Sequence, residues 1–229
     1  MKRIPIYLLL GLWLCGTAGC SDIDREALVR RHDVVTTQTD PKSPAQVGNG
    51  EFAFGADITG LQTFVPFNTM AQWGWHSFPL ADSLAGMRFE GDTWDTHGRP
   101  VRYDMPNPEQ PELSQWLAGN PHRINLGRIG FVLKKKDGTE VKEIDLQRSE
   151  QRMDLYHGTI FSRFEIEGTP VEVETACHPE RDMLAVRVKS PLMQSGQLYV
   201  RFDFPYADGA AFADYVGDWT HPEAHRTEV

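Results

Sequence analysis

From Gly127 onward, apolar and polar residues alternate in short runs broken by turn residues, a pattern that predicts a series of β-strands. Candidate strands cover residues 128–133, 140–146, 151–156, 159–167, 170–177, 182–189 and 197–204. Between them sit Lys136-Asp137-Gly138, His157-Gly158, Glu167-Gly168-Thr169-Pro170, His178-Pro179 and Ser195-Gly196. These connections leave no room for the crossover helices that parallel strands need. The expected fold is therefore all-β, an antiparallel β-sandwich with few short helices.

The same period-two pattern appears earlier. Asn49-Gly50 carries the signature of a tight primed turn, and Phe52, Phe54, Ala56 and Ile58 after it share one face of a half-buried strand. Residues 23–31 have the pattern of a short helix, with Asp22 or Asp24 near its N-terminus. Residues 36–48 carry Asp40-Pro41 and Ser43-Pro44 without helical period and are expected to form an extended arm. The region holding Trp73, Trp75, Phe78 and Trp94 is rich in glycine and proline, and loops are expected there.

The chain begins with Lys2 and Arg3, an apolar stretch from Ile4 to Leu14, and small residues leading to Cys20. That is the form of a signal peptide over residues 1–19. Thr17-Ala18-Gly19-Cys20 resembles a bacterial lipobox, which implies lipidation of Cys20 and membrane attachment through the lipid alone. An ordinary secreted protein is the alternative. The acidic run from Ser21 to Glu26 resembles a surface-export tether, so an outer-membrane lipoprotein facing the periplasm or the cell surface is expected. Residues 20–46 then form tether and arm, and residues 47–229 the sandwich.

The formal net charge of the chain is -9, and loss of residues 1–19 removes two cations and no acid, leaving -11. Such a body repels nucleic acid, which is not an expected partner. With Cys20 acylated, Cys177 is the single cysteine of the mature domain, and neither a disulfide framework nor a thiolate metal cluster is available. Cys177 lies in the alternating run after Val171 and reads as a buried structural thiol.

Four separated segments resemble the N-terminal β-sandwich of bacterial six-hairpin glycosidases, the group around glycoside hydrolase family 65. They are the run Val47 to Phe64, Gln72-Trp73-Gly74-Trp75-His76-Ser77-Phe78-Pro79, the stretch Asn120 to Gly130, and Thr175-Ala176-Cys177-His178-Pro179 with the strand after it. The resemblance implies carbohydrate metabolism, and it places the acid and base of such enzymes in a later (α/α)6 barrel. Twelve helices of ~11 residues with connections of ~5 need roughly 190 residues. Only 25 residues follow Phe204, so the chain is expected to stop short of that barrel. Two functions remain open: the non-catalytic sandwich portion of a glycoside hydrolase or phosphorylase, or a stand-alone surface-anchored module that binds glycan or a partner domain.

Trp73, Trp75 and His76 are the leading candidates for sugar contact, since indole faces cover the C–H faces of pyranose rings and imidazole bonds hydroxyls. Filling an interface with the barrel is the competing role for both tryptophans. His122 and Arg123 are the second candidate pair, facing a sugar or a neighbouring domain, with turn capping and ion pairing as the structural alternative. Glu51 and Asp57 share strand parity, but glycoside hydrolysis needs two carboxyl groups ~5 to 9.5 Å apart across a sugar. No catalytic residue, metal ligand or cofactor is assigned. His221 and His225 have helical metal-pair spacing, yet Pro222 argues against a helix through them.

Acylation at Cys20 makes Cys20→Ser an informative substitution. The variant is expected to leave the membrane fraction or stall in signal processing, and metabolic labelling with a clickable fatty acid checks it.

Overall fold

Antiparallel β-sheet dominates the computed structural model, which describes residues 23–103, 107–206 and 217–228. The signal peptide and Cys20 lie outside the described residues. Helix α1 (Arg25–Arg30) precedes strands β1 (Val34–Thr36), β2 (Ala45–Gly48), β3 (Phe52–Ala56), β4 (Thr69–Ala71), β5 (Trp75–His76), β6 (Asp92–Thr96) and β7 (Arg99–Tyr103). Helix α2 (Pro111–Gly119) is followed by β8 (His122–Arg123), β9 (Arg128–Leu133), β10 (Gln147–Asp154), β11 (Thr159–Ile166), β12 (Thr169–Cys177), β13 (Leu184–Lys189) and β14 (Leu198–Asp203).

The largest sheet has the order β1-β10-β11-β12-β13, every neighbouring pair antiparallel. Facing it are the three-stranded sheet β2-β3-β4 and the ribbon β14-β9. Alternation along β11 and β12 sends Ile160, Phe164, Ile166, Val171 and Val173 inward. There they join Val47, Phe54, Phe131 and Leu133 from the opposing strands in one apolar cluster. Two layers of sheet around a common core make this a sandwich-like all-β fold, and none of the described sheets closes into a barrel.

Local chemistry explains the boundaries. Asp24 caps α1 by accepting a hydrogen bond from the backbone N–H of Ala27 at 2.9 Å. At the β2–β3 hairpin the positive φ belongs to Gly50 alone of the Asn49-Gly50 pair. Asn49 contributes its side chain instead, accepting from the N–H groups of Glu51 and Phe52 at 2.9 and 2.8 Å.

Three expectations are corrected. Residues 36–48 are not an arm throughout, because their ends belong to β1 and β2, so strands of the sandwich begin before residue 47. The strand expected over 140–146 is a bridge at Glu140 followed by a 3-10 turn at Glu143–Asp145. There the Asp145 carboxylate accepts from the N–H of Lys142 and pairs with Lys135, both at 2.9 Å, which bends the chain out of the sheet. The middle region also contains more than loops: β6 and β7 pair around His97-Gly98, both at positive φ, and α2 begins at Pro111. Of α2, Leu113 and Ser114 are buried, so the helix leaves almost no apolar period in the sequence.

After β3 the chain dives into the interior. Every residue from Asp57 to Thr63 is buried. The Asp57 carboxylate accepts from the N–H and hydroxyl of Thr59 at 2.9 and 2.6 Å and from the N–H groups of Phe64 and Val65 at 2.6 and 3.3 Å. Burial pushes its pKa up, against the lowering effect of these donors. Asp57→Asn turns one carboxylate oxygen into an amide that meets donors head-on. It is expected to cost about 2–3 kcal/mol of stability, read from urea unfolding midpoints at constant m.

Candidate functional site

The aromatic residues singled out above gather where β4, β5 and β8 meet. Between β4 and β5 the chain turns tightly, the N–H of Gly74 donating to the carbonyl of Ala71 at 3.1 Å. A side chain at Gly74 would press on Leu126 at 3.2 Å, so glycine permits the close approach of the two segments. β5 then pairs with β8, setting Trp75 opposite Arg123 and His76 opposite His122. Four of the five expected contact residues thus lie on one small ribbon.

Trp73 takes a different direction. It sits in the turn rather than in a strand, so it does not share a strand face with Trp75. Its indole N–H donates to Asp182 at 2.9 Å, reaching the loop between β12 and β13. That loop is itself held by Asn49, whose amide donates to the carbonyls of His178 and Arg181 at 3.3 and 3.1 Å. Trp73 is 65% exposed while its edge is anchored.

Trp75 is 53% exposed, and the Arg123 guanidinium lies 4.4 Å from its ring centroid. One indole face is therefore covered by a cation, which orients both groups. Behind them His76, Phe78 and His122 form an aromatic stack. Phe78 and His122 are nearly parallel with centroids 5.2 Å apart, and His76 meets Phe78 edge-on at 4.4 Å. The His122 Nδ1–H donates to the carbonyl of Gly119 at 2.8 Å, and the N–H of Phe78 donates to Asn120 at 2.7 Å. His76 Nδ1 is buried without a hydrogen-bond partner among the described residues.

Phe78 and Asp182 are the contributors that sequence reasoning missed. Phe78 carries a visible signal, two positions after His76 in an apolar-aromatic run. Asp182 carries none, since it lies 109 residues from the indole it binds.

The remaining sequence candidates have other roles. Glu51 is exposed at the hairpin, and Asp57 is consumed by the buried loop. Cys177 is half-buried beside the core, its pKa pushed up by burial and by Asp182, which does not favour a thiolate nucleophile. His221 bonds Asp218 while His225 stacks on Tyr206 at 6.2 Å, so the two imidazoles face different partners. Among the described residues no three His, Cys, Asp or Glu side chains converge as metal ligands.

Chemically, this end of the molecule offers flat apolar rings, a guanidinium and imidazole edges. Its carboxylate, Asp182, is committed to Trp73. The set is suited to holding a neutral, hydroxyl-rich ligand. No protein-family model matches the chain, and no curated protein matches it.

The two indoles are expected to report their partners separately. In 19F-tryptophan NMR, Arg123→Ala should shift the Trp75 resonance and leave Trp73 in place, whereas Asp182→Ala should do the reverse.

Proposed function

We propose that this chain is the non-catalytic β-sandwich portion of a glycoside hydrolase or phosphorylase, and that its Trp73–Trp75 end contacts carbohydrate. The observation that carries this reading is the pair of anchored, half-open indoles flanked by Arg123 and His76. Ordinary core tryptophans are covered, and unanchored surface ones are uncommon because large rings favour burial. An indole held at its edge with a free face is pre-ordered for a sugar ring, which lowers the entropy cost of binding.

β14 supports the first half of the reading, a sandwich that meets a further domain of such an enzyme. Leu198 is buried at 6% exposure, yet Phe202, on the same face of the strand, is 64% exposed. Tyr199, Val200, Phe204 and Tyr206 are also open, an apolar surface of the kind that marks an interface. Outer-membrane attachment through Cys20 completes the proposal. Among the described residues no helix is long and apolar enough to cross a membrane.

Mature protein is expected to bind oligosaccharides weakly in a glycan array and by calorimetry, with Trp73→Ala reducing affinity about tenfold or more, of the order of one lost aromatic contact. It is expected to show no turnover of aryl glycosides, with or without phosphate. Turnover that persists through repurification, or array binding unchanged in Trp73→Ala, contradicts the reading.

A further inference from the structure

The outer face of the five-stranded sheet forms a concave groove of about 420 Å³, within the range of small-molecule sites and sharing no residue with the aromatic end. Register sets its floor. Arg152, Phe161, Glu174 and Arg187 stand opposite one another on β10, β11, β12 and β13. One step along, Glu150, Arg163, Glu172 and Lys189 form a second rung. All eight line the groove.

The charges alternate in sign across each rung and are satisfied within the face. Arg163 meets Glu150 at 3.6 Å, Lys189 meets Glu172 at 3.3 Å, and Arg187 is hydrogen-bonded to Glu174. Arg152 pairs with Asp33 at 3.0 Å and lies 5.1 Å from the Phe161 centroid. Phe161 is thereby held as a half-open ring in a grid of donors and acceptors.

This arrangement narrows the ligand. An anion drawn to one cation also meets the carboxylates beside it, and a cation meets the neighbouring guanidinium and ammonium groups, so the alternating signs disfavour a ligand of either charge. An apolar protein surface would strip water from the charged groups of both rungs with nothing to replace it. A hydroxyl both donates and accepts, so it bonds an already paired guanidinium or carboxylate without breaking the pair. The aromatic ring among them matches the C–H face of a sugar.

We propose that this groove is a binding site for a neutral, linear oligosaccharide, lying across the strands over Phe161. The site is independent of the Trp73–Trp75 surface, and each can be present without the other.

The test is an NMR titration of mature, folded protein with a panel of neutral linear tetrasaccharides, and separately with inorganic phosphate. Backbone amide shifts are expected to move along β11 and β12 with tetrasaccharide, to persist in Trp73→Ala, and to weaken at least tenfold in Phe161→Ala. Glu174→Gln, which keeps size and side-chain shape, is the second variant and is expected to weaken binding severalfold while circular dichroism stays unchanged. Absence of shifts in the groove with every tetrasaccharide, binding by phosphate in their place, or titrations unaltered in both variants would each overturn the proposal.

Discussion

Backbone polar groups taken out of water must find partners, and the segment from Asp57 to Thr63 imposes that requirement on the whole molecule. Its solution joins the three sheets that enclose the core. The carbonyl of Asp57 accepts from Gln151 on β10 at 2.6 Å, and the carbonyl of Gly60 accepts from Thr175 on β12 at 2.8 Å. Toward β9, the N–H of Gln62 donates to Ile129 at 2.8 Å while its carbonyl accepts from Arg128 at 2.6 Å. Burial and the neighbouring Arg201 lower the Arg128 pKa, although the group remains a cation and donor. Shape adds to the constraint: a Cβ at Gly130 would lie 2.6 Å from the Gln62 carbonyl, and one at Gly60 would meet Ser162 and Val173. A polar loop thus occupies space that apolar side chains fill in a simpler sandwich, and its hydrogen bonds specify how the layers meet.

The aromatic end inherits its position from this loop. The Gln62 amide donates to the carbonyl of Gly55 at 2.9 Å and to the Thr69 hydroxyl at 3.2 Å, which ties β4 to the interior. Thr69 in turn receives Leu126 at its carbonyl at 2.7 Å and donates its N–H to Asn125 at 3.0 Å. The chain leading out of β8 is therefore clamped to β4, and Arg123 cannot move far from Trp75. Ring positions at the surface are set by hydrogen bonds two layers deeper, the arrangement that pre-organised binding requires.

Both faces of the large sheet follow from one alternation. Inward positions of β11 and β12 supply the core, and outward positions supply the paired charges around Phe161. A single-residue slip of register would exchange the two sets, so stability of the core and chemistry of the groove constrain each other. The Gly168 turn between β11 and β12, at φ 77°, and the bulge between Gln147 and Glu150 in β10 hold that register.

Period two and turn chemistry are local properties, and they carried most of the strand pattern: β9 appears over Arg128–Leu133 as its alternation implies, and β11 and β12 differ from expectation by one residue at an end. Helix α1 was equally legible through Asp24. Helix α2 was not, since it is stabilised by Ser114 exchanging hydrogen bonds with Asn107 rather than by an apolar stripe. Trp73, Trp75, His76, His122 and Arg123 were identifiable as residue types suited to sugar contact. Their grouping was decided by the β5–β8 pairing, and the divergence of Trp73 by Asp182 far along the chain. Sequence specifies what each segment prefers among its neighbours within a few residues. Only tertiary structure settles which distant groups satisfy the polar atoms that folding buries, because those partners carry no periodicity that a one-dimensional pattern can reveal.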